Sequence, residues 1–308
     1  MAITQSSSFI GTAVDRLFED LVLGAESIEK GLIDIFADKR NAVHLNRFTS
    51  PANPLVPRVA TPTSAGDWVK DEKIITPGKA MFYREYDPLD FGFADWEFLW
   101  SSGTTVRAEA AAALLQAILS TSQKQINANV DLLTWQGDTG SGNDWIKITD
   151  GYIKLFTADA DVIDTTPAAI TAANVISVLE AVVAACPAAV QEASDPTIIT
   201  DHQTKYFYRE AARALDFKGT NIDAAIGDTF GGFRLVSVGG MPASTVVMVN
   251  TGGTSSNLKA STWMVSDMLS NQHVERLQAN SDLFFTKASF DYGVSHVFGS
   301  EIVMHKAS

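Results

Sequence analysis

Cysteine is nearly absent from this sequence: Cys186 stands alone among 308 residues. A single thiol excludes an intrachain disulfide framework and any metal site built from thiolates alone. Cys186 ends an Ala/Val-rich helical pattern directly before Pro187, the setting of a small buried hydrophobe rather than a reactive thiol. Cations are scarce too. Lys and Arg number 23 against 36 Asp and Glu, a formal net charge of −13. That balance opposes wrapping of nucleic-acid phosphates, because few cations are present to release counterions, yet it allows a protein that lies near DNA without gripping it. Long apolar runs are missing. The most apolar window, 168–190, is interrupted by Thr171, Asn174, Glu180 and Pro187 and reads as a buried helix, not a membrane span. The first residues, Met-Ala-Ile-Thr-Gln-Ser-Ser-Ser, put no basic flank ahead of an apolar core. The expectation is a soluble chain made in a cytoplasm.

Enzyme signatures are missing as well. The sequence contains no Gly-x-Ser-x-Gly elbow, no His-Glu-x-x-His, no Walker loop and no dinucleotide-binding glycine fingerprint. Its five histidines (His44, His202, His273, His296, His305) are scattered, with no two at metal-ligand spacing. Asp201 and His202, at a predicted helix start, are the one pair an α/β-enzyme reading would use; a solvated first-turn histidine is the simpler reading. Asp159, Asp161 and Asp164, with Asp138 and Asp144, lack the glycine-centred turn and terminal Glu of a calcium loop. The run Gly137 to Gly142 lacks the Lys-Ser/Thr pair and helix start of a phosphate cradle. Cations and rings interleave at Lys205-Tyr206-Phe207-Tyr208-Arg209, where helical periodicity explains the rings as packing. No cofactor, metal or catalytic residue is expected.

What is present is a globular composition, 46% hydrophobic and 19% charged, on a chain long enough to bury a substantial core. Residues 12–40 read as an amphipathic helix, with Leu17, Phe18, Leu21 and Val22 and then Ile28, Leu32, Ile35 and Phe36 on one face, interrupted at Gly24. Pro51, Pro54, Pro57 and Pro62 impose an extended arm. Trp68 to Ile75 and Lys79 to Tyr86 are predicted strands of a charged hairpin turning at Pro77-Gly78. An aromatic-rich run follows, through Phe91, Phe93, Trp96 and Trp100, with half of its rings read as core and the rest as interface anchors.

After Gly103 an unbroken helical pattern runs from Thr105 to about Leu133, roughly 40 Å of rod. Asp150-Gly151 signals a turn before a strand-like Tyr152 to Phe156. The segment beyond Pro167 alternates: helix Thr171 to Ala185, buried strand Thr197 to Thr200, a helix N-capped by Asp201, then strands Phe233 to Val238 and Thr245 to Val249. The end reads as short strands at Leu258 to Val265, His273 to Leu277, Leu283 to Thr286 and Ser289 to Phe298.

That order of parts resembles the tailed-bacteriophage major capsid proteins, of the Hong Kong 97-type fold. Local phrases agree: Trp135-Gln136-Gly137-Asp138 after the long helix, Met241-Pro242 before a strand, and Phe290-Asp291-Tyr292-Gly293-Val294 near the end. The resemblance implies an α+β fold in five parts. They are an N-terminal arm (1–50), an extended β-hairpin loop (51–103), a peripheral domain with its spine helix (104–164), an α/β axial domain (165–255) and a return to the peripheral domain (256–308). It implies a shell of hexamers and pentamers around a double-stranded DNA genome, assembled in a bacterial host. The partners would be copies of itself, a separate scaffolding protein or none, portal and decoration proteins, and packaged DNA bound without sequence preference. The assembly contacts would lie at Lys70, Asp71, Glu72, Lys73, Pro77, Gly78, Lys79, Phe91, Phe93 and Trp96. An encapsulin-like compartment shares the fold and is the alternative; a tail or adaptor component fits the long helix poorly.

Overall fold

The computed structural model describes residues 25–37, 39, 41–50, 55, 57–61, 68–86, 104–214, 228–253, 256–262, 272–277 and 283–307, with backbone alone at 104–119, 272–274 and 276. A long helix, α2 (Thr104–Gln136), runs past two sheets, and a two-stranded ribbon pairs with neither. At 33 residues α2 is roughly 50 Å long. Its described second half turns Ile126, Val130 and Leu133 inward at helical spacing, and these are buried.

The first sheet is organised by β12 (Phe284–His296). One edge takes β11 (Gln272–Arg276) and then β10 (Leu258–Thr262), while the other takes β4 (Gly78–Tyr86), all antiparallel. β1 (Asp34–Phe36) adds a parallel edge to β10. The sequence pattern divides residues 283–298 into two strands; the structure has one continuous strand of 13 residues, because β4 pairs unbroken from Phe284 to Tyr292.

The second sheet has the order β5 (Ile163–Asp164), β13 (Val303–His305), β9 (Val246–Asn250), β6 (Pro196–Thr200), β8 (Phe233–Ser237), β7 (Thr229–Phe230). Its apolar runs are continuous because both faces are covered. Ile198, Leu235, Val246, Met248 and Val303 face a core shared with α4 (Val175–Ala185) and α6 (His202–Ala214). Ile199, Val236, Val247, Val249 and Met304 face the core around the spine helix. That second core also takes Trp135, Tyr152, Phe156, Leu258, Tyr292 and Val294, so it fastens the two sheets to one rod. Asp201 caps α6 as its position predicts: Oδ2 accepts the Thr204 N–H at 3.1 Å. A short α5 (Ala188–Gln191) links α4 to β6.

Three further expectations fail on the described residues. The predicted helix over 12–40 is, from Ala25 onward, a single turn α1 (Glu26–Glu29) followed by strand β1; residues 1–24 lie outside the description. Gly31 at φ 67° ends the turn, and the parallel pairing of Asp34 to Phe36 with β10 overrides helical periodicity. Tyr152 to Ala158 is helix α3, not a strand, because Tyr152 and Phe156 bury the same face one turn apart. The strands meeting at Pro77-Gly78 are present but do not pair with each other. β3 (Val69–Ile75) pairs antiparallel with β2 (Val43–Thr49), and β4 pairs with β12.

Candidate assembly interface

The β2–β3 ribbon carries the hairpin that the sequence assigns to β3 and β4, so its outer end lies toward residues 50–68 and not at Pro77-Gly78. Val43 opposes Ile75 at the base, and Thr49 opposes Val69 at the far end. Burial falls along that axis. Leu45 and Ile75 are buried, whereas Phe48, Val69 and Lys70 are exposed. A strand pair normally hides one face; the outer part of this one hides neither, and that is the mark of a surface completed by something else.

Rings gather at the exposed end. Phe48 and Trp68 stack with centroids 4.9 Å apart and planes 9° from parallel, yet 63% and 61% of their surfaces remain accessible. Leu55 and Val59, beyond the strands, are exposed as well. Aromatic rings left in water by their own subunit are the residue type enriched at protein interfaces.

Charge ties the ribbon to the body along one side. Arg47 pairs with Asp71 across the ribbon and its Nη1 donates to the Val297 carbonyl at 3.2 Å. Lys73 pairs with Asp159, which follows α3, and its Nζ lies 2.6 Å from His296 Nε2 at the end of β12. His296 Nε2 is also 2.7 Å from Asp159 Oδ2. One ring nitrogen thus faces an ammonium and a carboxylate: protonated it donates to Asp159, unprotonated it accepts from Lys73. Nδ1 of His296 is buried with no hydrogen-bond partner among the described residues. Burial pushes the Asp159 carboxyl up, but the bonds from Lys73 and His296 outweigh it and hold it well below the usual carboxylate range. His296 lies below the usual imidazole value, chiefly because burial disfavours its charged form.

The corner between β3 and β4 packs tightly on the body. A Cβ at Gly78 would sit 2.0 Å from the Ile148 carbonyl oxygen, and Pro77 Cα lies 3.0 Å from the place a Cβ on Gly293 would take. Gly78 is needed for this close approach, not for the positive φ a turn would ask of it. Of the ten residues expected at contacts, Lys70, Asp71 and Glu72 are exposed on the ribbon, Lys73 is in its basal latch, and Lys79 is exposed at the start of β4. Pro77 and Gly78 are half-buried against the subunit itself; Phe91, Phe93 and Trp96 lie outside the described residues. Sequence reasoning missed Phe48, Trp68, Arg47, Asp159 and His296. The alternating Val43-His44-Leu45-Asn46-Arg47-Phe48 is the signal that could have found β2.

Asp201 and His202 have structural posts. Beyond the cap on α6, His202 Nδ1 lies 3.0 Å from Ser237 Oγ and Nε2 3.2 Å from Glu26. Among the described residues, no group of three or more His, Cys, Asp or Glu is arranged to hold a metal, and no helix is long and apolar enough to cross a membrane.

No family model and no curated protein matches the sequence. Solved structures do match. A chain of Mycobacterium phage Ogopogo is similar over all of both chains, at 12% identity and TM-score 0.60. The capsid of Myoviridae phage XM1 is similar over 99% of this chain and 100% of that one, at 8% identity and TM-score 0.60. The capsid of an empty GTA particle is similar over 97% of this chain and 95% of that one, at 12% identity and TM-score 0.59. The fold is the Hong Kong 97-type phage capsid fold.

Proposed function

We propose that this chain is the major capsid protein of a tailed bacteriophage, which assembles with copies of itself through hexamers and pentamers into a closed shell around double-stranded DNA. The observation that carries this reading is the outer part of the β2–β3 ribbon, on a fold similar to a phage chain over all of both: it leaves both faces open and carries a stacked pair of rings near its end. The neighbouring subunit supplies the missing cover. In this reading residues 1–50 are the arm, 51–103 the extended loop with β2 lending its first strand, and 104–164 the spine and its surroundings. Residues 165–255 form the axial domain, and 256–308 return to the peripheral side before β13 closes the axial sheet. Lys70, Asp71, Glu72 and Lys79 remain the charged contact residues proposed for the shell; Phe91, Phe93 and Trp96, outside the described residues, remain proposed contacts too. The fold's resemblance to capsids, together with the structural posts of Asp201 and His202, favours a shell component over an enzyme. The site of action is the virion.

The net charge of −13 suits a container that repels its packaged DNA and lets it slide during filling. The similarity to phage and GTA capsids favours a viral shell over a cargo compartment. Expression of the full chain followed by electron microscopy tests the proposal. Closed shells or tubes are expected, with scaffolding protein added if the chain alone gives oligomers. A chain that stays monomeric at every concentration, with or without scaffold, rules it out.

A further inference from the structure

The ribbon is not the only place where distant parts of the chain are tied together. Asp131, on the inward face of α2, is 2% exposed and therefore a carboxylate in a protein interior. Its Oδ1 accepts the Ser27 N–H at 3.0 Å, from α1. Its Oδ2 accepts the Gly240 N–H at 2.7 Å, from the turn between β8 and β9. The same two partners are held again one turn along the helix. Trp135 Nε1 donates to Ser27 Oγ at 2.7 Å, and Gln136 Nε2 donates to the Gly240 carbonyl at 2.8 Å. A Cβ at Gly240 would lie 2.2 Å from the Asp131 backbone oxygen, so the turn meets the helix main chain directly.

Such a carboxylate is an expensive way to fill the position. It sits inside a long helix, and among the described residues no cation pairs with it. Burial holds its carboxyl above the usual range despite the bonds it accepts. A group kept at that cost has a geometric use: it offers acceptors and no donor, and it faces donors only, the backbone N–H groups of Ser27 and Gly240 and the Ser27 hydroxyl. An amide in its place would turn an NH2 toward one of them. The contact fixes three bodies at one point: the spine, the single turn α1 within the arm, and the axial sheet. A second link joins two of these parts, α1 and the axial sheet, since Lys30 Nζ at the end of α1 donates to the Ser237 carbonyl at 2.6 Å while also bonding Glu26 at 2.7 Å.

We propose that Asp131 is a positioning residue that sets the angle between the axial domain, the spine helix and the arm's turn α1, and that through this angle it sets the curvature of the shell. The proposal rests on the shell reading above. Subunits locked at one angle close at one diameter; subunits free to turn close at several.

The test uses the full chain carrying Asp131→Asn or Asp131→Glu, with Gln136→Ala as the milder third variant if the others fail to fold. Two measurements are made. Particle diameters come from electron microscopy, and amide hydrogen exchange is followed residue by residue on unassembled protein. The expected result is folded protein whose Ser27 and Gly240 amides exchange about tenfold faster or more, with β9 amides unchanged, and whose particles spread over several diameters or stay open. Asp131→Glu, which keeps both acceptors but moves them, should shift the diameter rather than abolish closure. Wild-type diameters accompanied only by a lower melting temperature would show that Asp131 merely stabilises, and the proposal would fall. Unchanged exchange at both amides would overturn it equally. If the unaltered chain itself forms no shells, the shell reading fails; the exchange result then decides separately whether Asp131 fixes the joint.

Discussion

Phe48 and Trp68 lie face to face on the outer part of the ribbon, one on each strand side of the chain's proline-rich segment, and water reaches most of both rings. A stack placed there does little for the subunit and much for whatever covers it. Replacing either ring by Ala should cost the isolated subunit no more than about 1 kcal/mol, the usual worth of an exposed aromatic pair. The same change should remove most closed particles. Sedimentation velocity of the assembled fraction, set beside the melting temperature of the subunit, separates the two effects.

Gly78 should behave in the opposite way. Its neighbour is the Ile148 main chain, which cannot rotate aside. We expect Gly78→Ala to destabilise the subunit by about 3 kcal/mol, the upper range for overpacking, as read from urea unfolding. A loss below about 0.5 kcal/mol would mean the corner yields easily, as ordinary surface positions do.

The basal latch makes stability depend on pH. His296 binds its proton less readily in the folded chain than in the unfolded one, so stability falls as pH drops below the ordinary imidazole value of 6.5. Asp159 is shifted down as well; its contribution is present above the ordinary value of 3.8 and is lost as pH falls further. Melting temperature should therefore decline in two stages on acidification, the first between about pH 7 and 5. His296→Gln should flatten that first stage and leave the second. An equally steep first stage in the variant would assign it to another group.

Cys186 is buried after α4, and burial pushes its thiol up to about 11. The native chain should react with a thiol reagent at pH 8 far more slowly than the urea-unfolded chain, since thiolate is the reactive form. Comparable rates in both states would mean that the α4–α5 connection opens readily.

Local pattern was readable where local pattern decides. The spine helix and strands β6, β8 and β9 follow from uninterrupted periodicity or from runs apolar on both sides, and their positions agree with the fold to within a few residues. Pairing was not readable in the ribbon. A Pro-Gly dipeptide between two strands suggests a tight hairpin, whereas β3 takes its partner from across residues 50–68, a connection longer than most. Tyr152 to Ala158 is too short for period alone to separate helix from strand, and β1 is a strand only because β10 lies beside it. The charged part of the candidate interface was visible as composition. The Phe48–Trp68 stack and the Lys73–Asp159–His296 latch depend on register between distant segments, which no window of sequence contains.

Gly78 against Ile148 and Gly240 against Asp131 share one property: each is a joint in which main chain rests on main chain. Main chain is the same whatever side chains a lineage accumulates. A protein hinged in this way can replace most of its residues and still hand down its outline, provided the few bare positions stay bare.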